Sequence, residues 1–541
     1  MTDPRPTPSA PGEIATVELI VGMEVHIELM TRTKMFSRVA SPAHADAHHE
    51  GSAHNTLIDA VTLALPGSLP VMNRAAVEMA MLVGLALNCR IAEFTKWDRK
   101  SYFYPDMPKA YQISQYDLPL CFDGAFDLPA SDAQGFPDLG KPSRRIGILR
   151  AHLEEDAGKL LHEAPGGHAI DFSIVDYNRA GTPLLEVVTQ PNFRAADEAV
   201  LFAKLLRQTC RALGVTQGVM QKGHMRFEPN INCILTLKDG TTVRTPIVEV
   251  KNLNSFRSLK GAIEFELADQ PRRWAADGRV MGPGTKTTRG WDDHAQRTIV
   301  QREKEDAHDY RYFPDPDLVP VRVDDAWRSR VAARLPRLPL DRFREYVTDF
   351  ALGVKEATAL SEERPVSDFY DTVTDRMVAH GVPRSRAGKA AANMLLQSGQ
   401  KRANERSAAD AVLLHELGIT ADEAAAVGTL REHGKISNQS LDELFGLLCT
   451  PDEVRVQDGT DAFARVEALA RAKGFLIQRD DAALAGWVAR VIAENPKVAD
   501  DVRAGKLQAA GRLVGEAMKL AGGAADAKTV REAILKALGQ G

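Results

Sequence analysis

One stretch, VELIVGMEVHIEL from Val17 to Leu29, restricts the fold more than any other. Its odd positions Val17, Leu19, Val21, Met23, Val25, Ile27 and Leu29 are apolar, while Glu18, Glu24, His26 and Glu28 fall on even ones. A period of two predicts a strand with one apolar and one acidic face. Side chains two apart stand on the same side of a sheet, so Glu24, His26 and Glu28 project together, and Gly22 leaves backbone room beside them. Taken alone, this is also what the solvated outer face of an antiparallel sheet looks like.

The pattern recurs down the chain. In RRIGILRAHLEED, residues 144–156, Leu149, Ala151 and Leu153 share one face, and Arg150, His152, Glu154 and Asp156 the other. Parity therefore selects Glu154 rather than Glu155. PLLEVVTQ, residues 183–190, sets Glu186 in an otherwise apolar strand, where an unpaired carboxylate would be expensive to bury. In MRFEPNINCILTL, residues 225–237, Arg226, Glu228, Asn230 and Asn232 alternate with apolar residues. PIVEVKNLNS, residues 246–255, sets Glu249 and Lys251 against Val248 and Val250. A single sheet gathers these faces into one cup, and the solvated-face alternative weakens with every repetition.

The cup offers Glu24, His26, Glu154, Glu186 and Glu228, hard oxygen ligands plus one imidazole, suited to Mg2+ or Mn2+. Arg150, Arg226 and Lys251 supply the charge that phosphate oxygens need. The chain has no GxxxxGK[ST] and no strand-linked GxGxxG, so metal-assisted phosphoryl transfer here would proceed without a P-loop. These residues alone leave a sugar- or carboxylate-processing enzyme equally open.

Other segments bound the rest. Residues 34–62 read as an irregular loop: His44, His48, His49 and His54 lack thiolates or a fixed ligand spacing. A helix is predicted at about 74–88. DRKSYFYPDMPKAYQISQYDLPL, residues 98–120, packs five aromatics and three prolines around Arg99, Lys100, Tyr102 and Lys109, a composition that suits a nucleotide base and its phosphates or equally a packed loop. The five cysteines are scattered without a CxxC pair and imply neither a zinc site nor a disulfide frame. The first 16 residues, rich in Pro, Ser and Thr, read as a disordered tail rather than a signal peptide, and the absence of a long apolar run points away from a membrane and toward the cytoplasm. Net charge is −5 overall, but from Arg471 onward 12 Lys and Arg face 8 Asp and Glu, an excess of +4 on an otherwise acidic chain.

GMEVHIEL, LPGSLPVMN, the 98–120 segment, HLEEDAGK, DYNRAGTPLLEVV, EVKNLNSFR, TRGWD and DYRYFPDPDLVPV occur in order across the chain. This series resembles the B subunits of aspartyl/glutamyl-tRNA(Asn/Gln) amidotransferases, the GatB family. The resemblance implies an enzyme that uses ATP to phosphorylate the side-chain carboxylate of Glu or Asp misacylated on tRNA, after which ammonia displaces the phosphate. It also implies a cradle similar in its sheet to glutamine synthetase, an amidase A subunit and a small C subunit completing a heterotrimer, and a tail domain that engages tRNA. The family's metal positions correspond to Glu24, His26, Glu154, Glu186 and Glu228, the set that parity selects. Glu228 stands where Asp is commoner, and the preceding segment has Gln221 and Lys222 in place of an acidic pair. Ser37, Asp59 and Thr62 occupy the region of zinc cysteines in many members, so no zinc is expected.

The expected fold is α+β: a catalytic cradle over 17–330, a helical domain over 331–470 with breaks near Pro365, Pro383 and Gly434, and a helical tRNA-binding tail over 471–541. Whether Glu-tRNA(Gln), Asp-tRNA(Asn) or both are used is open. A non-enzymatic tRNA-binding scaffold with a structural ion site is the competing class, separated by ATP hydrolysis that depends on misacylated tRNA.

Overall fold

A computed structural model describes residues 12–44, 52–164, 168–303, 310–406, 414–450, 461–477, 481–521 and 527–540. Residues 1–11, with most of the expected tail, and His48 and His49 lie outside the described residues. The chain divides into two compact units, Met1–Leu340 and Asp341–Gly541.

The first unit is built on a ten-stranded sheet. Its strands are β1 (Ile14–Glu28), β2 (Arg90–Ile91), β3 (Cys121–Leu128), β4 (Arg144–Glu155), β5 (Pro183–Thr189), β6 (Met225–Leu237), β7 (Thr242–Arg244), β8 (Val248–Lys251), β9 (Thr287–Asp292) and β10 (Arg297–Glu303). They run in the order β10-β9-β8-β6-β1-β5-β4-β3-β2, with β7 beside β6, and among the described residues only β8 and β9 pair in parallel. The opening strand is thus central, flanked by β5 and β6, and it begins at Ile14, inside the stretch expected to be a tail.

One face of the sheet is apolar. Met23, Val25 and Ile27 of β1, Leu29 just after it, Leu185 and Val187 of β5, and Phe227, Ile231 and Cys233 of β6 are almost wholly buried. Helices α1 (Arg74–Ala86), α2 (Ala196–Ala212) and α3 (Phe256–Asp277) pack on strands of this sheet. Local chemistry fixes where they begin and end. Asn73 accepts from the amides of Ala75 and Ala76 at the start of α1, and Ser255 accepts from Ser258 N at the start of α3. Gly278, at φ +66, ends α3 in the left-handed conformation that suits glycine. The fit of α1 is close: a Cβ on Gly84 would lie 2.4 Å from Cys121 Sγ on β3.

One sequence expectation fails here. Leu149, expected inside with Ala151 and Leu153, is 42% exposed, and Ile148 is buried instead. The β4–β5 register shifts between Val188 and Thr189, so the alternation breaks at that point.

Residues 98–120 form part of a smaller sheet, in which Asp98–Ser101 pairs with Tyr111–Ser114 and with Phe313–Pro314. The second unit is helical. Pro365 lies in the first turn of helix Arg364–Ala379, Pro383 caps Arg384–Met394, and Gly434, at φ +69, follows Ala421–Glu432. Helices between Asp481 and Ala537 enclose a core of Val488, Val491, Val502, Leu513, Val530 and Ile534. No helix among the described residues is long and apolar enough to cross a membrane.

Candidate active site

Register brings the polar side chains together. Across β1 and β6, Glu24 lies opposite Glu228, and His26 opposite Arg226. Across β1 and β5, His26 lies opposite Glu186, which in turn lies opposite His152 of β4. Asn230 of β6 lies opposite Glu249 of β8. Directly opposed residues of antiparallel strands share a face, so one face carries all of these groups.

Two clusters result, each with ligand atoms within 4.8 Å of one another: His26, Glu154 and Glu186, and Glu24, Glu228 and Glu249. In the first, His26 Nε2 stands 3.8 Å from Glu154 Oε1 and 3.7 Å from Glu186 Oε2. His26 also links to the second cluster, with Nδ1 3.7 Å from Glu228 Oε1. Asn230 donates to Glu24 Oε1 at 2.9 Å, and Lys251 Nζ lies 2.7 Å from Glu228 Oε2 and 3.2 Å from Glu249 Oε1. Sequence reasoning does not select Glu249 as a ligand, although it shares parity with Lys251.

Burial makes this concentration of negative charge costly. Glu154 is 4% exposed, and burial together with the neighbouring Glu186 raises its carboxyl above the usual range. Burial acts on Glu186 in the same direction, but His152, His26, Lys100 and Arg150 outweigh it and hold that carboxyl low. Burial lowers the His152 pKa to about 4 against the pull of Glu186, leaving a neutral ring. Buried atoms without hydrogen-bond partners point to the same deficit: His26 Nδ1, His152 Nδ1, Arg150 Nε and Asn230 Oδ1. Close carboxylates, an imidazole and unsatisfied polar atoms fit a divalent cation.

The cations of the face have distinct positions. Arg150 sits opposite Val188, which is itself opposite Glu24. Burial opposes charge on Lys100, yet Glu154, Tyr312, Glu186 and Tyr310 raise its pKa, so this ammonium looks toward the cup, with Nζ 4.9 Å from the Tyr310 ring centre. Arg226 contacts Asp156 through two bonds of 3.2 and 3.3 Å, and Arg179 Nε is 3.5 Å from the same carboxylate. Burial would raise the pKa of Asp156, but these two guanidiniums hold it low. Glu28, also buried, faces that pair and is pushed up to about 7 by burial and by Asp156.

The remaining candidates of the 98–120 segment have partners within the protein. Arg99 bonds Asp315 at 2.7 Å and Asp317 at 2.8 Å, with its guanidinium 4.4 Å from the Tyr111 ring centre. Lys109 is bonded to Glu155, which also accepts from Ile113 N at 2.9 Å. Tyr102 packs near Tyr104, ring centres 6.0 Å apart. Tyr312, which sequence reasoning missed, stacks on Tyr116 at 4.2 Å. Among the zinc-region positions, Asp59 Oδ1 accepts from Thr62 N and Thr62 Oγ1, both at 2.8 Å, and so braces the loop. Of the loop histidines described, His54 pairs with Asp176 at 2.7 Å.

Residues 19–329, which include nearly all of this sheet and all of its acidic face, match the GatB/GatE catalytic domain, and residues 377–538 match the GatB domain. Proteins described as the B subunit of aspartyl/glutamyl-tRNA(Asn/Gln) amidotransferase are similar over nearly the whole length. That of Rhodopirellula baltica is 39% identical, covering 93% of each chain; that of Thermomicrobium roseum is 39% identical, over 97% of this chain and 99% of its own; that of Thermobifida fusca is 40% identical, over 96% and 94%. The chain belongs to this family of amidotransferase B subunits, and it is an enzyme subunit of that class.

Proposed function

We propose that the chain phosphorylates, from ATP, the side-chain carboxylate of Glu on tRNA(Gln), of Asp on tRNA(Asn), or of both, and that ammonia from a partner subunit then displaces the phosphate to give the amide. The observation that carries this reading is the gathering of Glu24, His26, Glu154, Glu186 and Glu228 on one face beside Lys100 and Arg150. A carboxylate oxygen attacks the γ-phosphorus, the bond to ADP breaks, and the acyl phosphate yields to the lone pair of ammonia with loss of one proton.

Glu24, His26, Glu154, Glu186 and Glu228 would hold Mg2+ or Mn2+, which when bound neutralises phosphate oxygens. Arg150, whose Nε lacks a partner, is available to a phosphate oxygen. Arg226 and Lys251 already bind Asp156, Glu228 and Glu249, so in this reading they orient the cup's carboxylates before substrate arrives. Arg99 and Lys109 are anchored to Asp315, Asp317 and Glu155, and with Tyr102 they fix the segment that presents Lys100 rather than gripping the nucleotide themselves. The chemistry uses no zinc.

The ammonia has to come from elsewhere. All five cysteines are buried, and burial pushes the thiols of Cys89, Cys210 and Cys233 up to about 12 and that of Cys449 to about 11, far from an activated nucleophile. The partners are an amidase A subunit and a small C subunit in a cytoplasmic heterotrimer. Amidation assays of the purified complex on Glu-tRNA(Gln) and Asp-tRNA(Asn) separately test the reading. ATP-dependent amide formation on at least one supports it; tRNA-independent ATP cleavage alone contradicts it.

A further inference from the structure

The cations in and around the 98–120 segment are held in two different ways. Lys96 pairs with Asp98 and Asp117, Arg99 with Asp315 and Asp317, and Lys109 with Glu155. Lys100 differs: among the described residues it forms no ion pair, and its Nζ lies 4.9 Å from the centre of the Tyr310 ring. The difference has a chemical consequence. A carboxylate neutralises an ammonium and occupies its N–H groups, whereas the face of a ring attracts the charge without supplying an oxygen, so donors remain for another acceptor.

Strand register sets where this ammonium stands. Lys100 lies opposite Gln112, whose Nε2 donates to Glu155 O at 2.7 Å, at the end of β4 that carries Glu154. The Tyr310 ring is braced in turn. It meets Tyr312 edge-on with ring centres 6.2 Å apart, and Tyr312 stacks on Tyr116 at 4.2 Å with 11° between the planes. Phe313 and Pro314 then pair with Arg99 and Asp98 on the strand of Lys100, and Asp315 N donates to Trp97 O at 2.8 Å. Between the two tyrosines Arg311 adopts φ +47, a left-handed backbone that a non-glycine residue keeps only where its surroundings hold it.

We propose that Tyr310 is a positioning residue: its ring face, braced by Tyr312 and Tyr116, holds the Lys100 ammonium beside Glu154 with donors free for an oxygen of the phosphate being transferred. Tyr310 acts through Lys100, and its role rests on the reading that the acidic face transfers phosphate.

The test is ADP formation by the heterotrimeric complex in response to misacylated tRNA. Tyr310→Leu should lower kcat about 3- to 30-fold, the range of a partly buried cation–π contact, and leave KM for tRNA within about twofold. Tyr310→Phe, which keeps the ring face, should recover kcat to within about twofold of wild type. Phenylalanines with progressively more ring fluorines at position 310 keep the shape while draining the face of negative charge, so kcat should fall stepwise along that series. In a Lys100→Met background the same series should be flat. A kcat indifferent to ring fluorination, a Tyr310→Phe as slow as Tyr310→Leu, or equal losses in the Lys100→Met background would overturn the proposal. The fluorinated series decides the matter even if Tyr310→Leu fails to fold. A wild-type complex that forms no ADP in response to misacylated tRNA removes the phosphate-transfer reading instead.

Discussion

Single carboxylates carry the sharpest consequences of this architecture. Replacing Glu154 or Glu186 by Gln removes one hard ligand from a buried cluster, so tRNA-dependent ATP cleavage should fall by at least about 100-fold with the fold retained. Near-normal turnover in both variants would withdraw the cup from catalysis. Glu28 gives a pH signature instead. Its folded pKa of about 7 exceeds the ordinary 4.5, because burial and then Asp156 disfavour the charged form. The folded state therefore binds the extra proton between those values, and the stability this confers at low pH is lost as pH rises through about 7. In thermal melts under chelator, Glu28→Gln should exceed the wild type by on the order of 1–3 kcal/mol at about pH 8 and lose that advantage near about pH 5. A difference that does not change with pH would assign Glu28 to an environment other than the one described.

At the scale of elements, the helix against the sheet makes its own demand. Gly84 of α1 sits where a methyl group would overlap Cys121 of β3, so Gly84→Ala should destabilise by about 1–3 kcal/mol despite the better helix propensity of alanine, and Cys121→Ala should restore part of the loss. Stabilisation by Gly84→Ala in denaturant melts would refute that contact. Strands are also where the sequence is most informative. A period of two decides which face a side chain takes, and the sheet register converts that parity into the His26, Glu154, Glu186 and Glu228 groupings. Parity cannot reveal the register shift that turns Leu149 outward, because an irregularity belongs to the pairing of two strands rather than to either one. Nor can it say which cations remain free. Arg99 is claimed by Asp315 and Asp317, more than 200 positions away, and only the fold brings those carboxylates to it. His152 shares the polar face by parity, but its aim at Glu186 depends on β4 lying beside β5.

For the whole molecule, a cradle and a helical unit with its own C-terminal core suggest separable tasks. Deleting residues 471–541 should leave a folded cradle, raise KM for misacylated tRNA and flatten its salt dependence. An unchanged KM across salt would leave the tail without an RNA-binding role. The charges involved are partly offset: Lys506 pairs with Asp501 at 2.9 Å and Arg512 approaches Glu516 at 3.8 Å, so neutralising Lys506, Arg512 and Lys519 should reproduce only part of the deletion. Glutamine added to the isolated chain should release no glutamate, and release would place a glutaminase nucleophile in this chain after all. Everything proposed for the acidic face turns on its making an acyl phosphate on tRNA-borne Glu or Asp. That step is tested most directly by incubating the complex with labelled ATP and Glu-tRNA(Gln) or Asp-tRNA(Asn), without glutamine, and trapping the product with hydroxylamine. The expected result is tRNA-dependent ADP formation with a hydroxamate on the aminoacyl side chain, absent in Glu154→Gln; ATP cleavage with no trapped hydroxamate on either tRNA, or amidation that proceeds without ATP, would contradict it.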